Sequence, residues 1–205
     1  MKLNLIYGYL FILFITSIKS QSKTSMGVCY EPFHHKDYPS NIKNVLSEDF
    51  AIMKNYASVV RTYYSGYYGE PVVKYAKAAG MKIYLGIFLT DESWGNKEWD
   101  MAAQAVKDYP DTVLAVIIGN ENLPPSGKMS ANELKKKIVD FKKRINNKVP
   151  VGTAQRINEI LITSKEYTDL FNECDIIGVQ IYPFFSKGYN SNNPLNLLNI
   201  QWKLV

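Results

Sequence analysis

A glutamate that directly follows an apolar run in the middle of the chain is the strongest candidate for catalysis. The apolar residues 113–118 lead into Gly119, Asn120 and Glu121. A carboxyl at the end of a buried strand can keep its proton near neutral pH and protonate a poor leaving group, such as a glycosidic oxygen, as its bond breaks. Asn120 could hydrogen-bond a sugar 2-hydroxyl. The alternative is a glutamate that caps a helix or lies in a loop after the strand.

Tyrosine occurs 15 times, and several copies follow predicted strands. Sugar rings present apolar C–H faces, and a tyrosine ring offers a flat apolar surface with a polar edge. Tyr63 and Tyr182 are therefore candidates for sugar contact. Further aromatic candidates lie in adjoining loops: Tyr64, Tyr67, Tyr68 and Trp94. The alternative is ordinary packing, which is favoured for Phe184 and Phe185.

The pair His34-His35, with Glu31 and Asp37 nearby, superficially suggests a metal site. Adjacent histidines on an extended segment point apart, and no third ligand follows at a recognisable spacing. Loop polarity or substrate contact is the favoured interpretation, and neither a metal nor a cofactor is predicted.

Short β-branched runs alternate with helical patterns along the chain. Strands are predicted at 26–30, 58–63, 82–88, 113–120, 149–154 and 175–182. Between them, apolar residues from Ile42 to Tyr56 fall on one helical face, Ser130 and Glu133 form a capping box, and Gly80 is placed to end a helix. Arg61, inside a strand, needs carboxylate or backbone partners and is expected to organise the interior near the acids.

Six strands joined by helical crossovers predict a parallel sheet in one domain, either a closed barrel or an open doubly wound sheet. A doubly wound nucleotide binder usually carries a glycine-rich loop after its first strand, and here that position reads Tyr-Glu-Pro-Phe-His-His. Polar and aromatic residues follow the strands instead: Glu31, Tyr63, Asp91, Glu121, Gln155 and Tyr182. Such a ring favours the (β/α)8 TIM-type barrel.

The motif Gly-Asn-Glu at 119–121 resembles the fourth-strand motif of barrel glycosidases whose acid/base glutamate follows an asparagine. Four other stretches are similar to glycoside hydrolase family 17, the β-1,3-glucanases of fungi and related walled organisms. They are 27–30 (Gly-Val-Cys-Tyr), 60–63 (Val-Arg-Thr-Tyr), 151–154 (Val-Gly-Thr-Ala) and 178–185 (Gly-Val-Gln-Ile-Tyr-Pro-Phe-Phe). The resemblance covers nearly everything after residue 20, in order.

This resemblance implies that Glu121 is the general acid/base and that Asn120 is its partner at the reacting sugar. It also implies that Tyr30, Tyr63 and Tyr182 line the same subsite. The implied substrate is a β-1,3-glucan polysaccharide or oligosaccharide, hydrolysed or transferred with retention of anomeric configuration. A different β-linked sugar remains open, because spacing alone does not name the substrate.

A retaining mechanism needs a second carboxyl, which this family carries at the end of the seventh strand in a Glu-Thr-Gly-Trp-Pro-like motif. The sequence holds no such motif, and no Asp or Glu occurs between 176 and 205. We therefore expect about six of the eight βα units, with strands seven and eight lacking, as in a fragment or a catalytically impaired remnant. Glu31, Asp91 and Glu92 are disfavoured substitutes, and a non-catalytic secreted glucan binder is the alternative function.

Residues 1–20 have the pattern of a signal peptide: Lys2, an apolar run at 3–15, and small polar residues at 17–20. The alternative is a membrane anchor, but the run is shorter than the roughly 20 residues of a spanning helix. Residues 21–205 are then the catalytic barrel of a monomer that is secreted to the medium or the cell wall and has no further membrane contact. Loss of Lys2 and Lys19 would lower the net charge from +5 to +3, which does not indicate a nucleic-acid partner.

The chain has two cysteines, Cys29 and Cys174. The first lies near the end of one predicted strand and the second just before the start of another, so they are expected at opposite faces of the barrel. That separation exceeds disulfide geometry, and two buried free thiols are predicted.

Overall fold

Six parallel strands form one sheet in the computed structural model, which describes residues 27–36 and 38–204. The predicted signal peptide lies outside the described residues. In sheet order, the strands are β1 (Gly27–Tyr30), β2 (Val59–Thr62), β5 (Lys82–Ile87), β6 (Val113–Asn120), β7 (Val151–Arg156) and β8 (Ile176–Gln180). Every neighbouring pair is parallel. The carboxyl ends of all six strands therefore lie at one edge, where side chains from distant parts of the sequence meet.

Helices connect consecutive strands, as parallel pairing requires. They are α1 (Ile42–Met53), α2 (Val73–Ala78), α3 (Gly95–Asp108), α4 (Ala131–Arg144), α5 (Ile157–Ile160) and α6 (Lys165–Glu173). A 3₁₀ turn at Pro183–Phe185 and α7 (Pro194–Trp202) follow β8. The large core lies between the helices and the outer sheet face and includes Leu46, Ile83, Ile118 and Phe141. Alternate residues form a smaller apolar cluster that includes Tyr84 and Ile117, because successive side chains of a strand point to opposite faces.

The predicted strands are confirmed, with small shifts at their ends. The strand at 113–120 has the predicted bounds, whereas the one predicted at 149–154 runs from Val151 to Arg156. A short hairpin of β3 (Gly66–Tyr67) and β4 (Glu70–Pro71) was not predicted from the sequence. The sheet curls as part of a barrel, which confirms the predicted (β/α)-barrel architecture.

The helix boundaries follow the local sequence. Ser130 and Glu133 form the predicted capping box at the start of α4, and Gly80 has a φ of +70° just beyond α2. The face predicted to continue to Tyr56 ends earlier, because α1 stops at Met53 and the Tyr56 side chain is 75% exposed. No helix among the described residues is long and apolar enough to cross a membrane.

The two cysteines are both free thiols, as predicted. Both cysteines are only partly buried, whereas buried thiols were predicted. Burial raises the pKa of the Cys174 thiol to about 12 and outweighs the opposing effect of Lys142.

Candidate active site

The end of β6 turns sharply to present Glu121. Gly119 and Glu121 both have positive φ, of +72° and +53°. The backbone N–H of Asn120 donates to Oδ1 of Asn122 at 2.6 Å, and that of Glu121 donates to the carbonyl oxygen of Ala154 at 2.9 Å. A Cβ at position 119 would lie 2.2 Å from Oδ1 of Asn122. The glycine and the two asparagines are thus the residues that build this turn, and a non-glycine residue with positive φ is a feature that clusters at functional sites.

Glu121 lines a cleft of about 630 Å³ beyond the ends of β6, β7 and β8. The other lining residues are Arg156, Ile157, Asn158, Gln180, Tyr182, Phe185, Ser186, Lys187 and Gln201. The predicted direction of Glu121, into the strand-end cleft, therefore agrees with the structure. Among residues 27–36 and 38–204, it is the only carboxyl that lines this cleft.

Two side chains hold the Glu121 carboxyl. The Tyr182 hydroxyl donates to Oε1 at 2.5 Å, and Nε of Arg156 lies 2.6 Å from Oε2. The carboxyl side chain is 15% exposed, whereas that of Arg156 is 46% exposed. The hydrogen bond to Glu121 raises the pKa of Arg156 above its ordinary value. Arg156 thus covers the carboxyl from the solvent side and is the partner that an entering ligand could displace.

Asn120 is oriented from the opposite side by two donors. Nη2 of Arg61 donates to its Oδ1 at 2.6 Å, and Nε2 of Gln180 donates to the same oxygen. Because a guanidinium has only donors, the Asn120 amide must turn its oxygen towards Arg61. Gln180 must then direct its N–H towards Asn120, which leaves its Oε1 facing the Tyr182 hydroxyl.

The Tyr182 hydroxyl therefore lies between two oxygens, one of Glu121 and one of Gln180. When Glu121 is ionised, the hydroxyl can donate its proton to the carboxylate. When Glu121 is protonated, the hydroxyl can accept from it and donate to Gln180 instead. Burial, followed by the bond to Glu121, raises the pKa of Tyr182, so the phenol stays protonated in both cases. The network accommodates both charge states that a general acid/base must adopt.

Tyr63 lies on the floor of this arrangement, close to Arg61. The Arg61 guanidinium carbon is 4.6 Å from the centre of the Tyr63 ring, and the arginine is 3% exposed. Burial raises the pKa of Tyr63, and its side chain also hydrogen-bonds Cys29. Arg61 thus connects the Tyr63 ring to Asn120.

Tyr30 does not lie with this group, contrary to the prediction. Its ring packs edge-on against Phe50 of α1 at a centroid distance of 5.3 Å, and its hydroxyl donates to Oδ2 of Asp49 at 2.7 Å. The residue is 6% exposed. Because side chains alternate along a strand, Cys29 points to the interior near Arg61 and Tyr30 points to the helices. Tyr30 supports the fold of the first βα unit instead of lining the cleft.

The geometric argument about the histidine pair was also wrong. Residues 32–36 form a turn, in which the His35 N–H donates to the Pro32 carbonyl oxygen at 3.2 Å. The rings of His34 and His35 lie on the same side, 4.4 Å apart between centroids. Both approach Asp49, a third potential ligand that sequence spacing did not reveal.

Two residues of the hydrogen-bond network around Glu121 were not predicted from the sequence, Arg156 and Gln180. The signal for Arg156 was hidden because β7 continues two residues past its predicted end at Ala154. Gln180 fell inside a predicted strand, where alternation would have indicated an inward direction. Among the disfavoured carboxyls, Asp91 and Glu92 are exposed and do not line the cleft.

The aromatic candidates separate into two groups. Tyr64, Phe88 and Trp94 stack in a row after β2 and β5, with Tyr64 and Phe88 at 4.6 Å and nearly parallel. Phe184 and Phe185 are 66% and 73% exposed, so the packing that was favoured for them is not what the structure shows. Phe185 lines the cleft and contacts Tyr182.

Two curated relatives of the chain come from the fungi Arthroderma benhamiae and Aspergillus fumigatus. The chain is 32% identical over 114 residues to a glucan 1,3-beta-glucosidase of Arthroderma benhamiae, an alignment that covers 55% of this chain and 36% of that protein. It is 25% identical over 166 residues to a probable beta-glucosidase btgE of Aspergillus fumigatus, covering 78% and 28%. The chain thus matches about a third of the length of these relatives.

Two solved structures share the fold. A glycoside hydrolase family 17 β-1,3-glucanosyltransferase from Rhizomucor miehei has a TM-score of 0.66 at 19% identity, covering 87% of this chain and 65% of that one. An endo-laminarinase from Formosa has a TM-score of 0.61 at 16% identity, covering 79% and 51%. The sequence also matches the family described as the BtgE/BtgC glycoside hydrolase domain, over residues 27–205. The chain belongs to the BtgE/BtgC glycoside hydrolase family.

Proposed function

We propose that this chain carries the acid/base half of a retaining glycoside hydrolase or transglucosylase of the family 17 type, acting on β-1,3-glucan. The observation that carries the proposal is the position of Glu121 in the strand-end cleft. Its carboxyl is hydrogen-bonded to the Tyr182 hydroxyl, which can donate to the ionised carboxylate or accept from the protonated acid. The relatives' names and the laminaritriose complex of the Rhizomucor miehei enzyme support the choice of a β-1,3-glucan.

In the first step, Glu121 gives its proton to the glycosidic oxygen as the bond to the anomeric carbon breaks and the second carboxyl bonds that carbon. Tyr182 keeps the carboxyl facing the cleft. Asn120 accepts two hydrogen bonds at its oxygen, so its Nδ2 is the group that it offers to the sugar 2-hydroxyl. In the second step, the glutamate takes a proton from water or from an acceptor sugar, whose oxygen bonds the anomeric carbon as the bond from that carbon to the second carboxyl breaks. Water yields hydrolysis, and an acceptor sugar yields transfer.

Arg156 must move before this chemistry can occur. Its guanidinium lies against the carboxyl that has to reach the glycosidic oxygen, and its 46% exposure leaves it room to turn towards solvent. We propose that the entering sugar displaces Arg156, which then lies beside the substrate. The second carboxyl, the nucleophile, is proposed to come from a strand beyond the six described here, as the family resemblance implies.

The test compares Glu121→Gln with Glu166→Gln, which changes an exposed glutamate on α6. Both are made in the 205-residue chain and in a longer one that adds the next βα units, with laminarin as substrate. In the longer chain, Glu121→Gln should lower kcat/KM by orders of magnitude and Glu166→Gln should leave it unchanged. A loss below tenfold for Glu121→Gln would show that Glu121 is misassigned. Equal activity of both unmodified chains would overturn the account of the nucleophile.

One observation favours a second candidate, a glucan-binding protein without turnover. The only carboxyl that lines the cleft among the described residues is ion-paired with Arg156. Under this hypothesis, laminarin should bind the 205-residue chain and remain intact, and Tyr182→Ala should weaken binding. Calorimetry with laminarin, together with chromatography of the recovered sugar, distinguishes binding from turnover.

We also propose that the chain is secreted as a monomer after cleavage near Ser20. The support for secretion is the sequence pattern of residues 1–20. Expression of the whole chain in a yeast with its own leader should release protein into the medium with an N-terminus near Gln21. Retention of the uncleaved chain in the membrane fraction would favour the anchor instead.

A further inference from the structure

The loop after β1 brings both histidines of the chain to one buried carboxylate. The chain contains two histidines, and Nε2 of His35 lies 3.0 Å and Nε2 of His34 lies 3.4 Å from Oδ1 of Asp49. One potential ligand atom from each of the three residues lies within 4.8 Å of the others. Asp49 projects from α1, so the cluster joins the loop to the first helix.

The two spacings from Asp49 to the histidines fit the coordination of a small divalent cation, and the spacing between the two histidine nitrogens is within 4.8 Å. In a tetrahedral zinc site with metal–ligand bonds of about 2.0–2.1 Å, neighbouring ligand atoms lie ~3.3 Å apart. The two distances from Asp49 to the histidines bracket that value. Imidazole nitrogens with one carboxylate oxygen form a donor set that suits zinc.

The hydrogen bonding of His34 supplies a second argument. Its Nδ1 lies 3.1 Å from the carbonyl oxygen of Glu31. A carbonyl oxygen only accepts, so Nδ1 must carry a hydrogen, and the neutral ring then has its lone pair on Nε2. That lone pair faces Oδ1 of Asp49, another acceptor, and the contact is stable only with a positive charge between the two atoms. A ligating histidine commonly donates its other N–H to a backbone carbonyl in this way.

Asp49 is held in place for the same role. Its side chain is 10% exposed, and its Oδ2 accepts a hydrogen bond from the Tyr30 hydroxyl at 2.7 Å. The Tyr30 ring is fixed in turn between Phe50 and Tyr67. The carboxylate therefore has one oxygen committed to the core and the other directed at the histidines.

We propose that His34, His35 and Asp49 bind one divalent transition metal ion, with zinc the best match and water completing the coordination. The ion would fasten the loop after β1 to α1. Phe33 of that loop contacts the rings of Tyr64 and Tyr67 at about 6 Å, so the ion would also steady the aromatic row beside the strand ends. The role is structural, and it does not depend on the proposed glycosidase activity.

Zinc binding can be measured on the chelator-treated protein by calorimetry, at a pH above the ordinary histidine pKa of about 6.5. The expected result is about one zinc ion bound per chain, and a higher Tm with zinc than without it. His34→Gln should weaken binding at least about tenfold, and because this side chain is 52% exposed, the variant should fold. Asp49→Asn should also lose the site, with Glu48→Gln, an exposed neighbour on α1, as the matched control.

Proton NMR of the two imidazoles gives an independent reading, since the chain has no other histidine. Zinc should move the resonances of both rings together. If the rings titrate with pH but do not respond to zinc, a proton bridges the cluster and the proposal fails. It also fails if His34→Gln and His35→Gln bind zinc as tightly as the unmodified chain, because another group, such as a thiol, then holds the metal.

Discussion

The hydroxyl of Tyr182 lies 2.5 Å from Oε1 of Glu121, although the two residues are 61 positions apart in the chain. The contact exists because β6 and β8 end on either side of β7 at the same edge of the sheet. Tyr182 also contacts Gln180, whose amide is oriented by Asn120. The orientation of the candidate acid is thus set by residues at the ends of β6 and β8.

Tyr182→Phe should lower kcat/KM on laminarin by at least about tenfold in a chain that is active. The substitution removes one hydrogen bond to a charged group, a contribution of about 1.5–3 kcal/mol, and leaves the ring in place. The loss should appear in kcat more than in KM, since Tyr182 acts through Glu121. Steady-state kinetics on laminarin check this.

Tyr189→Phe is the matched control for that variant, because Tyr189 lies in the following loop and does not line the cleft. Its kinetics and its Tm should equal those of the unmodified chain. If the lower activity of Tyr182→Phe is accompanied by a large fall in Tm, the hydroxyl stabilises the fold, and the positioning role is refuted.

The strands were predictable because parallel strands that are buried on both faces read as continuous apolar runs. The run at 113–120 illustrates this, because its last residues, Gly119 and Asn120, also indicate the turn that presents Glu121. The capping box of Ser130 and Glu133 was visible for a similar reason, since all its contacts are local. Where a feature depends on neighbours in sequence, the sequence reveals it.

The rest of the site depends on register and loop shape, which single-sequence patterns do not fix. Arg156 reaches Glu121 only because β7 extends past Ala154 and pairs in parallel with β6. The histidines converge because the loop turns at Pro32, a path that the assumption of an extended segment excluded. Tyr30 was assigned by its place at a strand end, although Cys29 beside it already occupied the inward direction.

The ion pair between Glu70 and Lys74 should make stability fall in acid. Burial alone would raise the pKa of Glu70, but the hydrogen bonds from Lys74 and Tyr75 outweigh it and lower the pKa from its ordinary value of 4.5. A carboxyl with a lowered folded pKa stabilises the protein above its unfolded value, and this contribution is lost as pH falls through the folded value. Glu70→Gln should therefore be destabilising at neutral pH, and the difference should shrink below pH 4.5.

Urea unfolding of the two proteins at a series of pH values measures that difference. For Glu92→Gln, a change at an exposed loop carboxyl, the free energy of unfolding should follow that of the unmodified chain at every pH. A Glu70→Gln difference that stays constant from neutral to acid pH would mean that packing, and not the ion pair, accounts for the loss.

Both thiols should react slowly in the folded protein. Burial raises the pKa of Cys174 to about 12, and it raises that of Cys29 despite the opposing charge of Arg61. Since the thiolate is the reactive form, alkylation by iodoacetamide near pH 8 should be at least about a hundredfold slower in the native chain than in urea. Mass spectrometry of the two cysteine peptides follows each site separately, and rapid native labelling of either would show that its surroundings do not suppress the thiolate.

Gly119→Ala should be among the most damaging single-methyl changes in the chain. The residue has a φ of +72°, and the added Cβ would lie 2.2 Å from Oδ1 of Asn122, the atom that shapes the turn before Glu121. The matched control is Gly188→Ala, where φ is +93° but nothing lies within 4 Å of the added carbon. The control isolates the left-handed backbone strain of about 1–2 kcal/mol, whereas Gly119→Ala adds the clash and should cost about 3 kcal/mol or more. Equal losses in free energy of unfolding for the two variants would show that the Asn122 amide moves aside freely, and that the turn does not depend on its present position.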